Sequence, residues 1–160
     1  MESIAMADKR TDSASRVIRA SPETIYRAFV DPKALIAWLP PAGMKARLFS
    51  FDPRPGGSYR MALSYEQANH PGHGKTSEHT DVVEARFKEL VPGERIVQVV
   101  EFQSDDPAFA GAMTMTWSLA AVADGTMATI LCEDVPAGIG KEDHDAGLSS
   151  TLANLAAFVE

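Results

Sequence analysis

From Met44 to Val135 the chain alternates apolar and polar residues in six successive runs, and the segment after them switches to a helical period. This change of period constrains the fold more than any other feature. Alternation sends successive side chains to opposite faces of a strand, whereas a period of 3.6 builds one apolar stripe on a helix. The runs are "MKARLFSF", "SYRMALSY", "EHTDVVEARFKEL", "RIVQVVEFQ", "GAMTMTWSLAAV" and "TMATILCEDV". Between them lie "DPRPGG", "VPGE" and "ADGT", turn chemistry that reverses the chain between antiparallel neighbours. In the closing "KEDHDAGLSSTLANLAAFVE", Leu148, Leu152, Leu155 and Val159 fall on one stripe. An apolar sheet face and an apolar helix stripe bury each other. The expected fold is therefore α+β, a curved antiparallel sheet of about seven strands wrapped around a long C-terminal helix.

The seventh strand comes from "ASRVIRA", residues 14–20, ahead of the series. Two short helices follow it. In "SPETIYRAFVD", Ser21 is an N-cap, Pro22 occupies the first helical position and Glu23 lies in the first turn. Asp31 and Pro32 break that helix before "KALIAWL", which Pro40 and Pro41 stop. Residues 1–13 mix charges and small residues without a period and are expected to be a flexible tail, leaving residues 14–160 as a single domain. A chain of 160 residues is long enough for one core.

"NHPGHGKT", residues 69–76, comes within one residue of the phosphate-binding pattern G-x-x-x-x-G-K-[ST], with Asn69 in place of the first glycine. That loop needs a helix directly after its lysine, because the helix N-terminus and the loop's N–H groups hold the phosphates together. Val82, Val83 and Phe87 instead mark a strand after Lys75 and Thr76, so a hairpin connection is expected. The net charge of -7, with no run of basic residues, argues against nucleic acid and anionic membranes as partners. The one cysteine, Cys132, cannot form an internal disulfide, and neither a leader nor a long apolar span is apparent, which points to a cytoplasmic protein.

Alternation also assigns the face that meets the helix. It carries Tyr59, Met61, Leu63 and Tyr65 on one strand, Ile96, Gln98, Val100 and Phe102 on a second, and Met113, Met115, Trp117 and Leu119 on a third. Methionine and tryptophan make adaptable, polarizable walls, so these side chains either fill a core or line an apolar pocket. Gln98 is the polar exception on its face and needs a partner. On the helix, His144 lies one turn before Leu148 on the same face, with Leu152 one turn further, so His144 could look into a cavity mouth. The candidate ligand-binding set is Tyr59, Met61, Tyr65, Gln98, Val100, Met113, Met115, Trp117, His144, Leu148 and Leu152.

Catalytic constellations are sparse. His70, His73 and His79 cluster in one segment, but no cysteine or close carboxylate pair completes a metal-ligand set. Cys132 has neither a helix N-terminus nor a basic neighbour to activate it and is expected to be a buried, inert thiol. No Ser-His-Asp pattern is present, and neither a metal nor a cofactor is called for.

"SPETIYRAFVDPKALIAWLPP", "FDPRPGGSYRM", "FKELVPGERIV" and "DHDAGLSSTLANLAAFVE" together resemble the START-like, helix-grip (SRPBCC) superfamily, and within it the branch named after the activator of the heat-shock protein 90 ATPase. The resemblance spans about residues 14–160 and implies a cavity between the sheet and the last helix. The branch usually carries Gly-Trp where this chain has Gly147 and Leu148, which implies a mouth without its aromatic lid. Three functions follow from the residues and the resemblance. The leading one is non-enzymatic binding of a small apolar or amphipathic molecule. The second is a cyclase- or hydratase-like enzyme using His144, Tyr65 or Glu133 as acid or base. The third is a chaperone-associated module that binds a protein through its outer surface. The expected partner is a small apolar ligand, and a homodimer is left open.

Overall fold

The computed structural model describes residues 10–40, 44–65, 80–102 and 111–160. The described strands are β1 (Arg10–Ile18), β2 (Met44–Phe51), β3 (Ser58–Tyr65), β4 (Thr80–Val91), β5 (Arg95–Phe102), β6 (Met113–Val122) and β7 (Gly125–Val135). They form one sheet in the order β1-β7-β6-β5-β4-β3-β2, and every neighbouring pair is antiparallel. The series from β2 to β7 is thus a meander in which each turn returns the chain beside the strand just made. At "VPGE", Gly93 has φ +72, the backbone that a turn with proline before glycine requires, and Glu94 N–H donates to Val91 O at 2.9 Å. The segment of Lys75 and Thr76 lies outside the described residues, and the next described element after it is strand β4.

Helices α1 (Pro22–Val30) and α2 (Pro32–Trp38) carry the chain from β1 at one edge of the sheet to β2 at the other. Ser21 caps α1 by accepting from the Thr24 N–H at 3.1 Å. Asp31 closes α1 in extended backbone and also caps α2, accepting from the Lys33 N–H at 3.0 Å. Helix α3 (Lys141–Val159) packs Leu148, Leu152, Leu155 and Ala156 inward, and its 19 residues span about 28 Å. It packs on β1, α1 and α2.

The expected fold class holds: a seven-stranded antiparallel sheet with a helix laid across it and two short helices after the first strand. The N-terminal boundary is corrected. Residues 10–13 were expected in the tail but belong to β1, where Asp12 pairs with Cys132 and Ser13 with Leu131. "RTDS" carries no apolar alternation, so the signal for a strand is missing, and pairing with β7 supplies what the local sequence lacks. The first nine residues lie outside those described.

Candidate functional site: a cavity under the last helix

Trp38 on α2, Phe29 on α1 and Trp117 on β6 meet edge to face, with ring centroids 4.7 to 5.8 Å apart. The Trp38 indole N–H donates to Ala28 O at 2.9 Å, so this buried ring has its polar atom satisfied. The trio is one wall of a cavity of about 450 Å³ between the sheet and α3. Met113, Met115 and Val100 continue the wall on the sheet side, and Gly147 and Leu148 form it on α3. The lining is apolar apart from Tyr59, Gln98, Asp143, His144 and Thr151. Asp143 is exposed, so the cavity meets the surface at the first turn of α3. A Cβ on Gly147 would meet nothing within 4 Å, so α3 leaves open space at this position.

Eight of the eleven residues singled out in the sequence line this cavity: Tyr59, Gln98, Val100, Met113, Met115, Trp117, His144 and Leu148. Met61 and Leu152 face the same interior but sit in packed core, 0% and 2% exposed, and are not part of the lining. Alternation gives the face of a strand but not the depth at which the empty space lies. The side chain of Tyr65 lies outside what the structure describes, as do His70, His73 and His79. Glu133 is exposed on the far side of β7 from buried Cys132, which removes it as an acid or base in the cavity. The sequence reading missed Phe29, Leu35 and Trp38, although the apolar faces of the two short helices carried the signal.

Two polar features stand against this apolar background. The first is Gln98, 4% exposed, whose amide N–H donates a long bond of 3.4 Å to the Tyr59 hydroxyl. Burial pushes the Tyr59 phenol up to about 12, and the bond from Gln98 works in the opposite direction. The other end of the Gln98 amide has no hydrogen-bond partner among the described residues.

The second feature is Asp12, with its side chain fully buried. His144 Nδ1 lies 2.6 Å from Asp12 Oδ2, Arg10 Nε donates to Oδ1 at 2.9 Å, and Lys141 Nζ reaches Oδ1 at 3.3 Å. Burial raises the carboxyl, but the bonds from Arg10, His144 and Lys141 outweigh it and hold Asp12 well below the usual carboxylate range. Ionised, Asp12 only accepts, so His144 Nδ1 is the nitrogen that carries the proton in that bond. Strand irregularity helps place the carboxylate. The β1–β7 register shifts between Arg10 and Asp12, and opposite the shift Asp134 takes the left-handed backbone at φ 61. Arg10 is held by a further bond from its guanidinium to Ile139 O at 2.6 Å.

Cys132, beside Asp12 in the sheet, is 0% exposed; burial and the nearby Asp12 charge push its thiol up to about 12. Among the described residues no group of three or more His, Cys, Asp or Glu side chains could hold a metal ion, and no helix is long and apolar enough to cross a membrane.

Comparison with solved structures places this geometry in a lineage. Protein CV1439 from Chromobacterium violaceum is 35% identical, with a TM-score of 0.81 over 94% of this chain and 98% of that one. Protein Ms6760 from Mycobacterium smegmatis (17% identity, TM-score 0.72, 96% of this chain and 92% of that one) and an AHSA1-like protein from Aeromonas hydrophila (14%, 0.72, 94% and 92%) share the fold. No curated protein matches the chain. The profile of the family described as Activator of Hsp90 ATPase homolog 1-like protein matches residues 19–160, nearly the whole domain, and the chain belongs to that family.

Proposed function

We propose that this protein binds a small apolar or amphipathic molecule in the cavity between the sheet and α3. The cavity itself carries the reading. About 450 Å³ of space stays open among side chains that elsewhere pack to near-zero exposure, and this volume is within the range of small-molecule sites. Close packing is the rule in protein interiors, so an opening of this size beneath a helix is a feature of the fold's use. Its wall of methionine, tryptophan and aliphatic side chains adapts to more than one shape, which favours broad selectivity. Gln98, Tyr59 and His144 supply the few directional contacts that orient a ligand.

Trp38 and Trp117 both line the cavity, so tryptophan emission reports its occupancy. Medium-chain fatty acids, two-ring aromatic compounds and naphthalene dyes should be titrated against the unchanged protein and Trp117→Phe. Binding tighter than about 100 μM, roughly -5.5 kcal/mol, is expected for at least one class, with weaker affinity in the variant. If no compound binds in that range, the cavity is a packing feature and the reading fails.

A further inference from the structure

We propose that Asp12 and His144 form a proton-transfer pair, with His144 Nε2 a general base toward an apolar molecule bearing a weakly acidic C–H beside a carbonyl or other electron-withdrawing group. This inference rests on the binding reading above and adds chemistry to it.

The geometry that carries it is the 2.6 Å contact between a fully buried carboxylate and a histidine that lines the cavity. Because Asp12 accepts the Nδ1 proton, the tautomer is set, and in the neutral ring Nε2 bears the free lone pair. Nε2 has no partner among the described residues. A carboxylate behind an imidazole fixes ring orientation and stabilises the imidazolium that forms when Nε2 takes a proton. The charged groups around the pair are Arg10 from β1 and Lys141, Asp143 and Asp145 from α3. Arg10 and Lys141 both contact Asp12, Lys141 being shared with Asp145 at 3.2 Å, and Asp143 lines the cavity beside His144. A negative group in the cavity lining disfavours an anionic ligand, so a neutral carbon acid suits the site better than a carboxylate.

A second, independent observation concerns the place where charge would develop. Gln98 is 4% exposed, and its amide nitrogen, which carries two N–H groups, makes one bond among the described residues, to the Tyr59 hydroxyl. The second N–H of that amide needs an acceptor, and an oxygen that gains charge as its neighbouring carbon loses a proton is a suitable one. Asp12, Cys132, Met115 and Gln98 are successive partners across four strands, so they lie in one row on one face. Three strand spacings put the Cα atoms of Asp12 and Gln98 about 14 Å apart. His144 reaches from α3 over the Asp12 end of that row, with Met115 in the apolar floor between the two polar ends.

In the step itself, Nε2 takes the proton and the C–H electron pair enters the conjugated system as an enolate. Return of the same proton to another carbon of the conjugated system completes an isomerisation without a co-reactant. The probe is 5-nitrobenzisoxazole, a small flat apolar molecule. A base removes its ring C–H proton, the electron pair forms the nitrile, and the N–O bond breaks to release a coloured phenolate. The unchanged protein is expected to outpace free imidazole at equal concentration, and His144→Gln to lose about 100-fold in the rate at saturating probe, whatever the change in its affinity. Asp12→Asn is expected to lower the rate and to remove the Nδ1–H signature of His144 in long-range proton–nitrogen spectra, which a purely structural role would leave in place. If Asp12→Asn does not fold, His144→Gln alone decides. Binding of the probe with a rate no greater than that of imidazole, or an undiminished rate in His144→Gln, would overturn the proton-transfer role and leave the binding reading standing. No binding of the probe would overturn this inference, and the titrations above then decide the binding reading separately.

Discussion

Asp12 and His144 stand 132 positions apart in the chain and 2.6 Å apart in the fold. The contact joins the first described strand to the first turns of the last helix, so it fastens α3 to the sheet edge at the cavity mouth. Its electrostatics make a measurable statement about stability. The folded-state pKa of Asp12 lies below its ordinary value of 3.8, so the carboxylate's contribution is complete above that value and is lost as pH falls below it. Removing a buried, paired charge costs about 3 kcal/mol where the charge is present. Urea midpoints should therefore separate the unchanged protein from Asp12→Asn widely at about pH 7 and less at about pH 3. An equal gap at both values would show that folding does not lower the pKa of Asp12.

Leu152 is 2% exposed and lies off the cavity wall. Its truncation to alanine is expected to cost about 2 to 5 kcal/mol through lost burial and the void left behind. Ligand affinity should change little in protein that remains folded. A denaturant midpoint equal to that of the unchanged protein would mean that α3 does not grip the sheet.

Gly147 sits inside α3 with open space where a Cβ would go. Gly147→Ala is expected to raise stability by about 0.5 to 1 kcal/mol, because alanine loses less backbone freedom in a helix. A thermal melt reads this directly. A lowered midpoint would show that the space at Gly147 is occupied in solution.

Cys132 is 0% exposed and its thiol is pushed up to about 12. A thiol reagent at about pH 8 should leave the native protein unlabelled and modify it rapidly in urea, since only the thiolate reacts. Fast labelling of the native protein would place Cys132 in an accessible environment.

The strands and helices were legible because their signals are local. "SYRMALSY" and "MKARLFSF" coincide with β3 and β2, and Ser21, Pro22 and Asp31 mark helix ends by their own side-chain chemistry. The face of each strand was legible too, since alternation alone assigns Tyr59, Gln98, Met113 and Trp117 to the side that meets α3. These are properties of residues and their near neighbours, and a single sequence carries them.

What the sequence could not determine was depth and company. Met61 and Met115 carry the same side chain on the same face of the sheet, yet one is packed at 0% exposure and the other borders open space. That difference depends on how far α3, α1 and α2 stand from each strand, a distance written nowhere in the periodicity. Asp12 is the sharper case, since in "RTDS" it reads as a solvated residue of a tail. Only the pairing of β1 with β7 and the return of α3 bring Arg10, Lys141 and His144 around it. A carboxylate can be buried when several donors converge on it, and here convergence requires segments separated by most of the chain, so tertiary structure alone decided it.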